Sequence, residues 1–377
     1  MIQVGKPLVK EFLGRDKSRK ELALMLKMGQ SIVLNAPRRH GKTSLMDRVI
    51  YELGNDVLNI KIDMMAIPNK RAMAEHIIDR CYELLGIKEF VLSTLSGVGK
   101  AIKDIVNFVS SYGIKLEDIE FSNSEKLLKD TNEDELFLHA LNLPQIIATK
   151  LDKKLIFAID ELGEIKEFKQ YQNILKVMRS VFQHQENVVF LFAGSQHTII
   201  GDIFRNSSSA FYKFAQMYEL KAMKDKDFLN YFNTLFSKYN IKLYNNFTKD
   251  IVNIGNGIPY YVIKIANSVL FNTMLKEQNN VCKFSILRAT YMVYKNEEQY
   301  FQLELSKLRG KQYQQKLLKA FAMNYKSKEA SKFAKLDFSN SNREIKQLLN
   351  SGLLSQKLDK KYFVTDPFLS IYLSKNS

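Results

Sequence analysis

The chain has 377 residues, 46% hydrophobic and 25% charged, with a net charge of +16, which suits a globular protein of two or three domains with a sizeable core. Met1 to Asp16 has no signal-peptide apolar stretch and no apolar run reaches the length of a membrane span, so a cytoplasmic protein is expected. Cys81 and Cys282 lie far apart and read as small buried apolar residues, and the five histidines are scattered, which excludes a Cys-x-x-Cys pair and a structural zinc.

Phe12-Leu-Gly-Arg-Asp16 precedes an amphipathic helix over about Ser18 to Lys27, with Leu22, Leu24, Met25 and Leu26 on its apolar side. The β-branched run Ile32 to Leu34 then predicts a buried strand. Ala36 to His40 forms a loop, and Gly41-Lys42-Thr43 opens a helix running through Arg48 and Tyr51. Strand, loop and helix N-terminus in that order make a phosphate-binding P-loop: backbone N–H groups and the helix dipole converge on one anion. Lys42 would reach the terminal phosphates, and the Thr43 hydroxyl would help hold Mg²⁺. Ala36 stands where the pattern usually has glycine; if that backbone needs a positive φ, the cost is about 1 kcal/mol. Gly41 is present where a Cβ would meet the phosphates.

Val57 to Ile62 reads as a second strand followed by Asp63, which either supports the site or caps a helix. Arg71 to Leu85 has helical periodicity at Ala74, Ile77, Ile78, Cys81 and Leu85. Residues 86–132 read as an insertion, helical over Phe90 to Ser110 and strand-like over Ile114 to Phe121. Thr131 to Leu151 is a helix, with Thr131 and Asp134 as a capping pair.

Lys154-Leu-Ile-Phe-Ala-Ile-Asp-Glu161 is a buried parallel strand ended by two carboxylates. Beside the P-loop strand, such a strand would bring Asp160 to the Mg²⁺ shell and let Glu161 polarise an attacking water. Tyr171 to Gln183 is a helix and Asn187 to Ala193 a further strand. Its tip, Gly194-Ser195-Gln196, offers polar side chains for the γ-phosphate or the water, with helix capping by Ser195 as the alternative. Alternating strands and helices over residues 30–200 argue for a parallel α/β sheet covered on both faces.

Asp225 to Lys238 and Lys249 to Leu275 are helical, the second interrupted by Gly255-Asn-Gly-Ile-Pro-Tyr-Tyr261 with a helix start at Pro259. Helices follow over Gln312 to Met323, Ser327 to Ala334 and Asn340 to Asn350, the last with Ile345, Leu348 and Leu349 inward and Gly352 as cap. Leu353 to Val364 reads as a hairpin turning at Asp359-Lys360. Three helices and a hairpin fit a winged helix-turn-helix. Residues 221–377 hold 26 Lys+Arg against 12 Asp+Glu, residues 1–220 hold 30 against 28, and from Leu305 onward the count is 15 against 5. A basic terminal unit on a near-neutral body points to a polyanion, nucleic acid before an acidic membrane, or simply to a lysine-rich surface.

The chain resembles the archaeal-type ATPases of the STAND branch of AAA+ P-loop proteins. The resemblance is carried by Phe12-Leu-Gly-Arg15, Pro37-Arg38-Arg39-His40-Gly41-Lys42-Thr43-Ser44-Leu45, Ile159-Asp160-Glu161, Gly194-Ser195-Gln196, Gly257-Ile258-Pro259-Tyr260-Tyr261 and Asp366-Pro367-Phe368. It implies a P-loop NTPase core over 1–220, a helical lid over 221–300 and a basic winged helix over 301–377. ATP and Mg²⁺ are the expected cofactors; no Asn-Lys-x-Asp guanine motif occurs. Ala36, Pro37, Arg38, Arg39, His40, Gly41, Lys42, Thr43, Ser44 and Pro259 are the expected nucleotide-binding residues. Thr43 and Asp160 would hold the metal, and Glu161, Lys42, Ser195, Gln196 and Lys213 would serve catalysis. The family usually carries an arginine after the sensor strand where this chain reads Phe211-Tyr-Lys213-Phe. Lys213 supplies a point charge without a bidentate fork, so hydrolysis would be slow or Arg205 would take the role.

The expected function is a nucleotide-dependent switch, with slow ATP hydrolysis, that positions the unit at 305–377 on DNA. The alternative is a nucleotide-gated scaffold whose winged helix contacts protein, and a third, weaker reading is an oligomeric DNA-remodelling motor. A protein partner or homo-oligomer fits either of the latter two; no membrane partner is expected.

Overall fold

In the computed structural model, residues 9, 12–84, 132–194, 197–356 and 361–375 are described. The expectations for Phe90 to Ser110, for Ile114 to Phe121, for the turn at Asp359-Lys360 and for Ser195 and Gln196 lie outside them.

The N-terminal part is a five-stranded parallel sheet, confirming the P-loop NTPase fold class. Strands β1 (Ile32–Asn35), β2 (Leu58–Asp63), β3 (Leu155–Asp160), β4 (Val188–Gly194) and β5 (Gln216–Glu219) stand in the order β2-β3-β4-β1-β5. This corrects one expectation: the acidic strand β3 is not beside the P-loop strand. β4 pairs with both, Ile32 opposite Leu191 and Ala158 opposite Leu191. All seven residues of β4 are buried, as the central position requires.

Period-two alternation splits the strands between two cores. Phe157, Phe190 and Phe192 join the face packed by helix α5 (Tyr171–Phe182), where Phe182 stacks on Phe190 at 4.1 Å between ring centroids. Ile156, Ala158, Val189, Leu191 and Leu34 face helices α1 (Asp16–Lys27) and α2 (Lys42–Leu53) with Leu22, Leu26, Leu45 and Val49. Leu24 does not belong to that apolar side; it is exposed, because only positions four apart, 22 and 26, share the buried stripe.

Helix α3 (Lys70–Leu84) packs on β2, and helix α4 (Glu133–Lys150) packs on α3 and on β3 and β4. The cap of α4 is Asn132, whose side chain accepts from the Asp134 N–H; the expected capping residue Thr131 lies outside the described residues. Asp63 acts as a cap, accepting from Met65 N–H. A short helix, α6 (His197–Phe204), follows the β4 tip, and the short edge strand β5 matches no expected element.

Beyond Leu220 the chain is helical: α7 (Asp225–Ser237), α8 (Phe247–Ile254), α9 (Pro259–Leu275), α10 (Lys283–Ser306), α11 (Gln312–Ala322), α12 (Ser327–Ala334) and α13 (Phe338–Asn350). Antiparallel strands β6 (Leu354–Gln356) and β7 (Tyr362–Val364) and helix α14 (Pro367–Lys375) close it. One apolar cluster runs from Met223 to Leu373, and α10 passes residue 300 without a break. Cys81 is buried as expected, but Cys282 is exposed at the start of α10.

Candidate functional site

The P-loop, Asp63, Asp160 and Gly194 all lie at the carboxyl ends of their parallel strands, the edge at which open α/β sheets bind ligands. β1 ends at Asn35, and α2 begins at Lys42 with Gly41 in the left-handed region at φ 79°. A Cβ on Gly41 would meet no protein atom within 4 Å, so within the protein it is the backbone conformation that requires glycine there. Ala36 is not among the positive-φ residues, so its methyl strains nothing; the left-handed non-glycine of the loop is Arg39, at φ 70°.

Lys42 is 5% exposed, and its ammonium donates to the Ala36 carbonyl at 2.9 Å and the Pro37 carbonyl at 3.2 Å. Burial lowers its pKa and nearby Arg38 lowers it further, against the opposing pull of Glu161 and Asp160. The carboxylate pair and the P-loop lysine therefore share one electrostatic site, although their strands are not neighbours. Asp160 is 2% exposed and accepts from the Glu161 N–H at 3.0 Å, while Glu161 itself sits at φ 49°. Glu164, in the 3-10 turn that follows, has its pKa raised by burial and held back by Arg38.

A nucleotide phosphate and Mg²⁺ fit this chemistry. The helix N-terminus and Lys42 supply donors for phosphate, and Thr43, Asp160 and Glu161 supply the hard oxygen ligands that Mg²⁺ takes. Among the described residues no three His, Cys, Asp or Glu cluster as a metal site.

Two arginines brace the loop. Arg15, at the end of Phe12-Leu-Gly-Arg, donates to the carbonyls of His40 and Lys221, both at 2.9 Å. Burial lowers its pKa to about 10, against Asp227 and Tyr218. Gly14 before it has φ +64°, and a Cβ there would lie 2.8 Å from both Asp227 Cβ and Met223 Cε. His40 is nearly buried, its ring nitrogen 3.1 Å from the Arg38 carbonyl.

Arg39, expected at the nucleotide, is engaged elsewhere. Its guanidinium bonds Asp366 Oδ2 at 2.6 Å, contacts the Tyr261 hydroxyl and lies 3.2 Å from Glu297 Oε2. It also stacks over the Tyr260 ring, 4.5 Å from the centroid. Burial lowers the Arg39 pKa, but Tyr261, Asp366 and Glu297 outweigh it and the net shift is upward. Glu297 has no exposed side-chain surface. Burial raises its pKa, yet hydrogen bonds from Lys264 and Tyr260 prevail and hold it below the usual carboxylate range. Asp366 also caps α14, accepting from the Phe368 and Leu369 N–H groups at 2.9 and 3.1 Å. The closing Asp366-Pro367-Phe368 and the Gly-Ile-Pro-Tyr-Tyr turn thus meet in one network on a P-loop residue. Glu297 was missed in the sequence because nothing marks a lone glutamate inside a long helix.

The Gly-Ile-Pro-Tyr-Tyr turn is set by Gly257, at φ +65°, whose added Cβ would lie 2.4 Å from the Met223 carbonyl. Pro259 then occupies the first turn of α9. A cavity of about 910 Å³ opens beside the loop, bordered by Pro37, Arg38, Arg205, Lys221, Tyr300 and Asp366. Arg205 lines it and pairs with Glu219 at 2.8 Å. Lys213 is exposed, sits at φ 55° and lies over the Tyr212 ring instead.

No protein-family model matches the chain, and no curated protein matches its sequence. In three dimensions it is similar to the Walker-type ATPase PABY2304 of Pyrococcus abyssi, with a TM-score of 0.69 at 18% identity, over 98% of each chain. It is also similar to the Aeropyrum pernix ORC2 protein solved in ADPNP–ADP complexes, with a TM-score of 0.56 at 10% identity, over 97% of this chain and 95% of that one. At those identities the likeness is one of fold, and the fold it shares with both is that of a P-loop NTPase followed by a helical C-terminal region.

Proposed function

We propose that the protein is an ATP-binding switch with slow hydrolytic activity, in which nucleotide at the P-loop sets the position of the basic C-terminal unit on DNA. The observation that carries the reading is Arg39: a P-loop residue whose guanidinium is bonded to Asp366 of the C-terminal unit and to Tyr261 of the lid. Phosphate charge arriving at the loop would compete for that cation, and the competition would be felt at the N-terminus of α14. Helix α13 also packs against α6 of the core, so the same displacement would uncover it. In this reading residues 221–300 act as lid and residues 301–377 as a winged helix. The structural likeness to a Walker-type ATPase and to a protein solved with ADPNP and ADP supports the choice of nucleotide.

Lys42 and the loop N–H groups bind the β- and γ-phosphates, with Ser195 and Gln196 beyond the β4 tip as candidates for sensing the γ-phosphate. Thr43 and Asp160 would hold Mg²⁺, which neutralises phosphate oxygens when bound. Glu161 orients the attacking water and takes its proton. Both side chains are exposed, but Arg205 borders the cavity beside the loop and Lys213 does not, which favours Arg205 for γ-phosphate stabilisation.

The test pairs ATP turnover with hydrogen exchange at residues 361–375. ATP should loosen that segment in the wild type and not in Arg39→Met; a Lys42→Ala protein that binds and hydrolyses ATP normally would sink the reading. DNA affinity should fall steeply with salt through counterion release.

A second reading, a nucleotide-gated protein scaffold, is favoured by the exposed apolar side chains Phe271, Leu275, Phe284, Leu287 and Tyr291 on α9 and α10. If no salt-sensitive DNA binding appears, that reading gains.

A further inference from the structure

Lys61 has no place in the P-loop chemistry, yet it sits behind it. Its strand β2 pairs with β3 so that Lys61 faces Ala158 and Asp63 faces Asp160. Lys61 and Asp160 are therefore diagonal neighbours on the face covered by α2, within reach of a long side chain. The Lys61 ammonium lies 2.5 Å from Asp47 Oδ1 on α2 and 3.6 Å from Asp160 Oδ2. The other Asp160 oxygen accepts from the Glu161 N–H. The Asp160 side chain is 3% exposed, against 19% for Asp47 and 27% for Lys61.

We infer that Lys61 is a positioning residue for Mg²⁺ binding: anchored by Asp47 to the helix that begins with Lys42 and Thr43, it aims the Asp160 carboxylate at the metal. The inference rests on the nucleotide-binding reading above. The physical need is specific. A carboxylate this buried demands a standing counter-charge, and Lys42, the other nearby cation, is required by phosphate. Lys61 stands level with Ala158, two residues short of the strand ends at which the loop lies, so it can stay paired while Lys42 is in use. Asp47 contributes as well, because it ties the ammonium to α2 and so keeps Thr43 and Asp160 in register. Partners that orient a metal ligand in this way change metal affinity by about 10–100-fold when removed.

The experiment titrates Mg²⁺ into the full-length protein with a fluorescent ATP analogue and, separately, measures analogue affinity in EDTA. Lys61→Met should raise the half-saturating Mg²⁺ about tenfold and leave the EDTA affinity within about twofold. Lys61→Arg should restore most of the Mg²⁺ response. Asp47→Asn, which keeps the ammonium and loosens its anchor, should raise the Mg²⁺ requirement about threefold and serves if Lys61→Met does not fold. A merely structural lysine would shift both affinities together, and that outcome, or an unchanged or lowered Mg²⁺ requirement, overturns the inference. A wild type that binds the analogue neither with Mg²⁺ nor in EDTA overturns the nucleotide reading and this inference with it.

Discussion

Arg15 and Arg39 both tie the P-loop to other parts of the chain, and their partners differ in kind. Arg15 donates to two backbone carbonyls, of His40 and Lys221, which carry no net charge and cannot leave. Arg39 is matched to the carboxylates of Asp366 and Glu297, to the Tyr261 hydroxyl and to the Tyr260 ring, which belong to α9, α10 and the N-terminus of α14. A phosphate cannot displace a carbonyl that the backbone fixes, but it can compete with Asp366 for a guanidinium. In the proposed switch the first contact is a brace and the second a coupling, through which one part of the chain would report on another.

Both contacts matter to function only if Lys42, Asp160 and Glu161 form a reaction centre beside the loop, and the largest expected effect tests that. Glu161→Gln should lower ATP turnover by about 10²–10⁴ while analogue binding persists, as loss of a general base requires; a turnover within threefold of wild type would remove the centre. Next in size, Arg15→Met should destabilise by about 2–4 kcal/mol in chemical denaturation, since two buried carbonyls lose charged donors, equally with and without nucleotide. Were nucleotide to change that cost, the brace would be a coupling too. Gly14→Ala should cost about 1–3 kcal/mol, from a Cβ 2.8 Å from Asp227 Cβ and a left-handed φ. Smallest, Asp366→Asn should cost about 1 kcal/mol in the absence of nucleotide, measured by thermal unfolding, and nothing in its presence. A difference of the opposite sign would break the coupling assigned to Arg39.

Much of the core was legible. The runs Ile32 to Leu34, Leu155 to Asp160 and Val188 to Ala193 announced central strands because parallel strands bury both faces and therefore read as continuous apolar segments. The P-loop and the Asp160-Glu161 pair were legible for the same reason that they are useful: each sits at a strand end where apolar sequence stops. Edge strand β5 escaped because Gln216–Glu219 is half exposed and carries no apolar run. Helix α10 escaped because its buried side chains are spread over 24 residues among many polar ones.

By itself the sequence determined the fold class, the strand–loop–helix turn that opens at Gly41-Lys42-Thr43 and the carboxylate pair that ends β3, since these depend on local periodicity and on short motifs. Only the tertiary structure decided which strand lies between β1 and β3, and only it showed that Arg39, Tyr261, Glu297 and Asp366 meet although they are separated by up to 327 positions. Hydrogen-bond register across a sheet and ion pairing between distant helices are set by how whole elements pack, and no residue carries that information in its own neighbourhood.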